Sequence, residues 1–329
     1  MKKRAFLKAL AVTGIALSSV FGAPASVLAS DYPDRLINII VPFPPGGLTD
    51  IIGRRFADYL QRETGQTVVV QNRAGASGQV GAQYVSRQPA DGYTLLVTAT
   101  HFGISAAIRT DLPYNPVTDF SPIALFVTTP NILVVNKDVP VTNIQEYIAY
   151  ANGKAQGISV GSSGTGGSTH LSGELLKFRA SANMHHIPYK GMTPHVNDLV
   201  GGQIESGFVD PSSVMQFLAD GRLRAIGVTG AQRFDILPDV PTISEQGIDG
   251  YEATTWIALV APAGTPQAIQ DFLNKAAIAS MQTPSAKQFL KQISAMPSDL
   301  SPSQFTDYLR HEISKWSEVA DAANLKIGN

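Results

Sequence analysis

"VPFPPGGLTDIIGRRF" (Val41–Phe56) follows the apolar run "RLINIIV" (Arg35–Val41). The run reads as a strand. After the loop, Ile51, Ile52, Phe56, Tyr59 and Leu60 recur at helical spacing and mark one apolar helix face. Between the two, prolines fix the exit from the strand and Gly46–Gly47 free backbone N–H groups. A loop of this kind lies at the carboxyl end of a strand, where open α/β sheets bind ligands. The helix start adds a field that favours an anion. A tight turn followed by an N-cap at Thr49 or Asp50 accounts for the same residues. Both readings stand on this stretch alone. It is not a nucleotide phosphate loop, because no Gly-Lys-Ser/Thr follows.

The same strand–loop–helix grammar recurs along the chain. Strands are predicted at 37–41, 68–71, 94–98, 123–126, 132–136, 158–161, 204–208, 225–229 and 256–261. Helices are predicted after the opening loop and at 78–88, 144–151, 169–180, 193–201, 214–219, 266–282 and 302–323. Thr265 is the expected cap of the penultimate helix, with Pro266 at its first position. Ser301 and Gln304 form an expected capping box for the last. Such alternation implies an α/β fold with mostly parallel sheets. With two lobes, the chain would cross between them near 128–131 and 251–255.

The first residues read as an export signal. Lys2, Lys3, Arg4 and Lys8 precede an apolar stretch to about Phe21, and Val27 and Ala29 suit cleavage after Ala29. "KRAFLK" approaches the twin-arginine pattern, with Lys3 in place of the first arginine, so the general secretory route is expected. Loss of those four basic residues takes the formal charge from −1 to −5. A mildly acidic exported chain argues against nucleic acid or anionic lipid as partner. The chain has no cysteine. Disulfides, thiolate chemistry, cysteine metal sites and a lipoprotein anchor are thereby excluded.

A second donor-rich loop lies in "GISVGSSGTGGSTHLSGELL" (157–176). Gly161–Ser168 approaches a phosphate loop, but Gly167 replaces the lysine; Gly164-Thr165-Gly166 opens a dinucleotide fingerprint, but Thr169 stands at its last glycine. The hydroxyls of Ser162, Ser163, Thr165, Ser168 and Thr169 suit a small carboxylate, and a solvated loop is the plain alternative. Ser163 fails the G-x-S-x-G elbow because Thr165 follows two residues on. The histidines show no metal spacing. His185 and His186 are adjacent and would face opposite sides of a strand. His170 at a helix start reads as a cap or packing residue, His101 after a strand end as a better ligand contact, Asp210 as a cap, and Lys190 as a surface or cleft cation.

Eight stretches in order carry a resemblance: "PFPPGGLTD", "NRAGASGQVGAQYV", "PADGYTLL", "GTGGSTHLSGELLK", "HIPYKGMTPHVNDLVGGQIESGF", "LRAIGVTG", "RFDILPDVPTISEQGI" and "APAGTP". Together they resemble the tripartite tricarboxylate transporter substrate-binding proteins, the Bug family, over Asp31–Asn329. The resemblance implies a type II-like, two-lobed periplasmic binding protein with a ligand cleft between the lobes. After a signal at 1–29, lobe 1 would comprise 30–130 and 253–329, and lobe 2 would comprise 131–252. It implies a small organic, aromatic or amino acid held by backbone and hydroxyl donors and bridging water, without an arginine clamp. Carried over by position, the first-lobe loop is Phe43 with Gly46, Gly47, Leu48, Thr49 and Asp50, and Thr98, Thr100 and His101 form a neighbouring rim. The second lobe supplies Ser162, Ser163, Gly164, Thr165, Thr169 and His170, with Asp210 opposite. The sequence departs from many relatives at "VDPSSV" (209–214), a region that bears on ligand choice. The implied protein is a monomeric, non-enzymatic solute receptor without cofactor, metal or stable membrane anchor, and its partners are membrane transporter subunits. A ligand-sensing adaptor and an exported hydrolase are the competing functions.

Overall fold

The computed structural model describes residues 32–326. The export signal and the last three residues lie outside them. In chain order the first elements are β1 (Ile37–Val41), α1 (Leu48–Thr64), β2 (Val68–Asn72), α2 (Gln79–Ser86), β3 (Thr94–Ala99), α3 (His101–Ile108), β4 (Phe120–Pro130) and β5 (Ile132–Asn136). Next come α4 (Ile144–Asn152), β6 (Ile158–Ser162), α5 (Ser168–Ala180), β7 (Met184–Pro188), α6 (Met192–Val200), β8 (Ser206–Val209), α7 (Met215–Ala219) and β9 (Leu223–Val228). The chain ends with β10 (Thr254–Pro262), α8 (Gln267–Gln282), α9 (Pro284–Gln292), β11 (Met296–Pro297) and α10 (Pro302–Ala322). Short 3-10 turns lie at Ala76–Gly78 and Pro211–Ser213.

The strands form two sheets. One has the order β11-β4-β10-β3-β1-β2, the other β7-β6-β8-β5-β9. Only β2-β1-β3 and β7-β6-β8 are parallel; β3-β10, β10-β4, β4-β11, β8-β5 and β5-β9 are antiparallel. The expectation of mostly parallel sheets is therefore corrected to mixed sheets. The reason is topological: the strands that carry the chain from one sheet to the other enter each sheet against the direction of its parallel core.

Successive residues of a strand face opposite sides, and β1 shows it. Ile37, Ile39 and Val41 pack with Ile52, Phe56 and Leu60 of α1, while Ile40 packs with Ala82 and Val85 of α2 and Phe102 of α3. In the second sheet, Leu133 and Val135 meet Tyr147 and Leu175 on one face, and Ile132 and Val134 meet Val196 and Leu199 on the other. That first core also takes in Ile104 of α3 and Trp316 and Val319 of α10, so helices of the first sheet pack against the second.

The chain changes sheet between Pro130 and Ile132, and returns between Val228 and Thr254. Thr229 joins both passages. Its Oγ1 accepts from Asn131 N–H at 2.8 Å and lies 2.6 Å from the Ala253 carbonyl oxygen. Ala253 N–H donates to the Thr229 carbonyl at 2.8 Å.

Four elements escaped the sequence reading. Helix α3 is buried on nearly every side, so it has no apolar stripe to detect. Helix α9 is a short piece following α8 directly, capped by Thr283. Strand β7 carries two histidines, and β11 is two residues long. Two starts also shift. Helix α1 begins at Leu48 with Gly47 as N-cap, and α8 begins at Gln267 with Pro266 as N-cap, because Pro266 is extended (ψ 139°). The Ser301–Gln304 capping box is present as expected.

Candidate ligand site

Four of the six parallel strands end in a predicted site segment. β1 leads to Phe43–Asp50, β3 to Thr98–His101, β6 to the second donor-rich loop and β8 to Asp210. Four of the helices that follow the parallel strands share one property. α1, α2, α5 and α6 have glycine N-caps (Gly47, Gly78, Gly167 and Gly191), and none receives a side-chain cap. Elsewhere Asn143, Thr283 and Ser301 cap α4, α9 and α10 with side-chain oxygens. The first N–H groups of a helix have no intrahelical acceptor. In α1 the first such bond is Ile51 N–H to Gly47, and in α5 it is Leu171 N–H to Gly167. The N–H groups of Leu48, Thr49 and Asp50, and of Ser168, Thr169 and His170, thus have no acceptor within their helices, at two positively polarised helix ends.

The loops around these donors are braced from within. Asp50 is buried and its carboxylate accepts from Gly46 N–H at 2.9 Å, Arg54 Nε at 2.9 Å and Asn72 Nδ2 at 2.8 Å. The Gly46 N–H, expected to be free, is spent on this bond. The donors from Arg54, Gly46 and Asn72 outweigh burial and hold the Asp50 carboxyl below its usual range. In the second loop Thr169 Oγ1 accepts from Ser163 N–H at 3.1 Å and meets Ser163 Oγ at 2.9 Å. His170 Nδ1 accepts from Gly166 N–H at 3.0 Å. The hydroxyl of Thr169 and the ring of His170 therefore shape the loop, while Thr165 is exposed. Asp210 caps the following turn through Ser213 N–H at 3.0 Å, its expected plain role.

Four histidines, His101, His170, His186 and His195, pack around these loops. His101 stands edge-on to Phe43, ring centroids 4.5 Å apart, with Nε2 3.4 Å from Thr98 Oγ1. It presses on Gly78, where any Cβ would lie 2.4 Å from Nε2. Burial pushes its pKa down to about 3. His170 and His186 stack at 3.8 Å, and burial, then the neighbouring His170, pushes His186 down to about 4. His185 and His186 do face opposite ways along β7: His185 is exposed and His186 turns inward. His195 is fully buried, neither ring nitrogen has a hydrogen-bond partner among the described residues, and burial pushes it down to about 4.

A cavity of about 330 Å³ joins the two sheets' loops. Ser77, Gln79 and His101 line it from one side, Thr165, Gly166 and His170 from the other. Ile104, Ile108, Leu171 and Leu325 give it an apolar part. Of the predicted residues, His101, Thr165 and His170 line this cavity; Phe43, Gly46–Asp50, Thr98, Thr100, Ser162–Gly164, Thr169 and Asp210 do not. Ser77 and Gln79 were missed, although "NRAGASGQVGAQYV" contains them. The signal is backbone strain: Ala76 and Ser77 hold φ of 46° and 52°, a left-handed region unusual for such residues. Arg109 also reaches the cavity, but its guanidinium is occupied by Asp111 at 2.9 and 2.8 Å.

A serine–histidine pair is present: Ser162 Oγ lies 2.7 Å from His186 Nε2. Ser162 is 1% exposed, and its hydroxyl also contacts the Gly164 carbonyl at 3.1 Å. No carboxylate bonds to His186 among the described residues, so the pair lacks both access and an orienting acid.

A profile of the family described as "Tripartite tricarboxylate transporter family receptor" matches residues 52–325. "Protein BugT" of Bordetella pertussis (strain Tohama I) is 33% identical over 320 residues, covering 97% of this chain and 98% of its own. The solved structure "R. palustris Rpa4515 with adipate" is 35% identical with a TM-score of 0.72, covering 89% of this chain and 99% of its own. A TctC solute-binding protein from Polaromonas, solved with no ligand, is 28% identical with a TM-score of 0.81, covering 88% of this chain and 99% of its own. The architecture they share is the two-lobed periplasmic binding protein.

Proposed function

Because the chain belongs to the tripartite tricarboxylate transporter receptor family, we propose that it captures a small carboxylate between its lobes and delivers it to the membrane subunits of such a transporter. The observation that carries this reading is the pair of glycine-capped helix starts at α1 and α5, one from each sheet, behind loops that contain neither Arg nor Lys; the loops before α2 and α6 each carry one cation, Arg73 and Lys190. Neutral N–H donors at helix ends suit one carboxylate and need no cationic clamp. The adipate held by the relative from R. palustris supports that ligand class. Export through residues 1–29 and release into the periplasm complete the reading, with the protein acting as a monomer.

The lobes are taken as 30–130 with 253–329, and 131–252, meeting at the passages joined by Thr229. The higher TM-score to the unliganded relative, at lower identity, supports an open arrangement here. A ligand that touches both donor loops favours closure, because only the closed form offers both. The buried Ser162–His186 pair is read as a loop brace and not as a nucleophile.

A thermal-shift panel of mono-, di- and tricarboxylates tests the function, with the matching amides as controls. A carboxylate at a hundred times its dissociation constant should add about 2.7 kcal/mol of stability. A panel in which no acid shifts the transition, or the amides act equally, sinks the proposal. Ester turnover lost in Ser162→Ala would put the hydrolase in its place.

A further inference from the structure

The segment "RFDILPDVPTISEQG" (233–247) has no part in the ligand site, yet it is built as a rigid wall. Arg233 Nε donates to Glu245 at 2.9 Å, and Glu245 in turn accepts from Thr242 N–H at 2.7 Å. Phe234 is buried in the core of the second sheet. Opposite it, α9 and β11 belong to the first sheet, where β11 pairs with β4 and Leu290 and Ala295 enter the core. Between these walls runs a groove of about 520 Å³ with an apolar floor that includes Phe234, Leu290 and Met296. Lys287 and Lys291 stand on its rim, both exposed and without an ion-pair partner among the described residues. Asp235 is the acid on the other wall, while the Arg233 charge is already matched by Glu245.

The strand order places this groove on the far side of the passages from the ligand loops. In the first sheet, β4 and β10 lie between β11, which borders the groove, and β3, β1 and β2, which bear the ligand loops. In the second sheet, β5 lies between β9, which leads into the groove wall, and β8, β6 and β7. Rotation of one lobe about these passages must move the two sides in opposite senses. A cleft that narrows on a ligand widens the groove. This step rests on the closure reading given above.

We propose that the groove is a docking site for an acidic, amphipathic segment of a protein partner, and that it opens when the ligand cleft closes. The apolar floor takes the partner's apolar side chains, and Lys287 and Lys291 take its carboxylates. A flat bilayer cannot reach a concave floor between two walls, so a peptide segment fits better than a lipid surface. The groove would let a partner distinguish the loaded receptor from the empty one without touching the ligand.

The absence of cysteine permits a direct test. Val80→Cys and Lys190→Cys place thiols on α2 and beside α6, and a short bismaleimide then holds the cleft closed. Scattering reports closure as a smaller radius of gyration. A fluorescein-labelled Glu/Leu octapeptide reports the groove by anisotropy. The cross-linked protein should bind it at least about fivefold more tightly than the uncross-linked one, the lower range of allosteric coupling. Lys287→Glu with Lys291→Glu should abolish the difference while circular dichroism stays unchanged, and a Lys/Leu peptide should not bind. Equal affinity for both forms, with the radius reduced, overturns the groove proposal and leaves closure standing. An unchanged radius after cross-linking overturns closure itself. Lysine-dependent binding to phosphatidylglycerol vesicles at the expense of the peptide overturns the protein partner in favour of a lipid.

Discussion

Trp256 Nε1 donates to Glu312 Oε2 at 3.2 Å, and so binds the returning strand β10 to the terminal helix α10. The same oxygen accepts from Trp316 Nε1 at 3.0 Å. Lys315 pairs with the other carboxylate oxygen and donates to the Glu252 carbonyl at 3.0 Å. Glu312 and Lys315 are both buried. Glu312→Ala leaves a buried ammonium and two indole N–H groups without their acceptor. A loss of about 3–5 kcal/mol is expected. Glu312→Met with Lys315→Met should lose less, since neither charge is then stranded and only the two indole N–H groups lack their acceptor. Urea unfolding measures both. A single variant within 1 kcal/mol of wild type (about a fivefold change in the equilibrium) would show that the network is not holding the strand.

Acid should weaken the fold through the half-buried His101 and His186 and the buried His195. His101, His186 and His195 are held neutral, at about 3, 4 and 4, whereas an unfolded histidine titrates near 6.5. Between about pH 6.5 and 4 the unfolded chain binds protons that the folded chain refuses. Stability is full above that window and falls as pH drops through it, by up to about 1.4 kcal/mol per pH unit for each histidine. The urea midpoint should therefore decline from pH 7 to 4.5. His195→Leu should flatten the slope, and should raise stability at neutral pH by removing two unpaired buried nitrogens. A midpoint independent of pH over that range would contradict the burial argument.

Gly207 is the floor on which His195 lies. A Cβ there would sit 2.2 Å from Nε2, and one at Gly161 2.4 Å from the same atom. Gly207→Ala should lose about 1–3 kcal/mol by overpacking. Combined with His195→Ala it should recover part of that loss, because the clash goes with the ring. Purely additive losses in a double-mutant cycle would mean that the ring is not what excludes the methyl group.

The legible parts of this chain are those where one physical signal dominates. The apolar run at Ile37–Val41 and the helical spacing from Ile51 to Leu60 mark β1 and α1 within a few residues, and the first change of sheet falls at the end of the segment expected of it, whereas the second is a long passage from Val228 to Thr254 that meets the expected 251–255 only at its end. Helix α3 was invisible because Phe102, Ile104 and Ala107 are buried on different sides, which erases the period. Strand direction was misjudged because hydrophobicity does not record it. At the site, residue types were legible but their duties were not. Thr169 and Asp50 look like donors and acceptors for a ligand in the sequence, and the fold spends them on Ser163 and Gly46. Ser77 was hidden because its signal is a backbone angle.

That division between Thr165 and Thr169 gives the last prediction. Both hydroxyls belong to the second donor loop, but Thr165 faces the cavity and Thr169 is 3% exposed beneath it. Thr165→Ala removes a hydroxyl that solvent already reaches, so stability should change by less than about 0.5 kcal/mol. Its affinity for whichever carboxylate scores in the thermal-shift panel should fall by about 0.5–1.5 kcal/mol, one neutral hydrogen bond. Thr169→Ala unfastens Ser163 N–H and Oγ, and a buried donor left without its acceptor costs about 1–3 kcal/mol of stability. Affinity should fall with it, because the helix-end donors are no longer held in place. Thr169→Ser restores the hydroxyl and should rescue both. Calorimetric titration gives the affinities and unfolding the stabilities. If Thr165→Ala destabilised the protein as much as Thr169→Ala, or if Thr169→Ala left stability untouched, the assignment of one hydroxyl to the ligand and the other to the loop would be reversed.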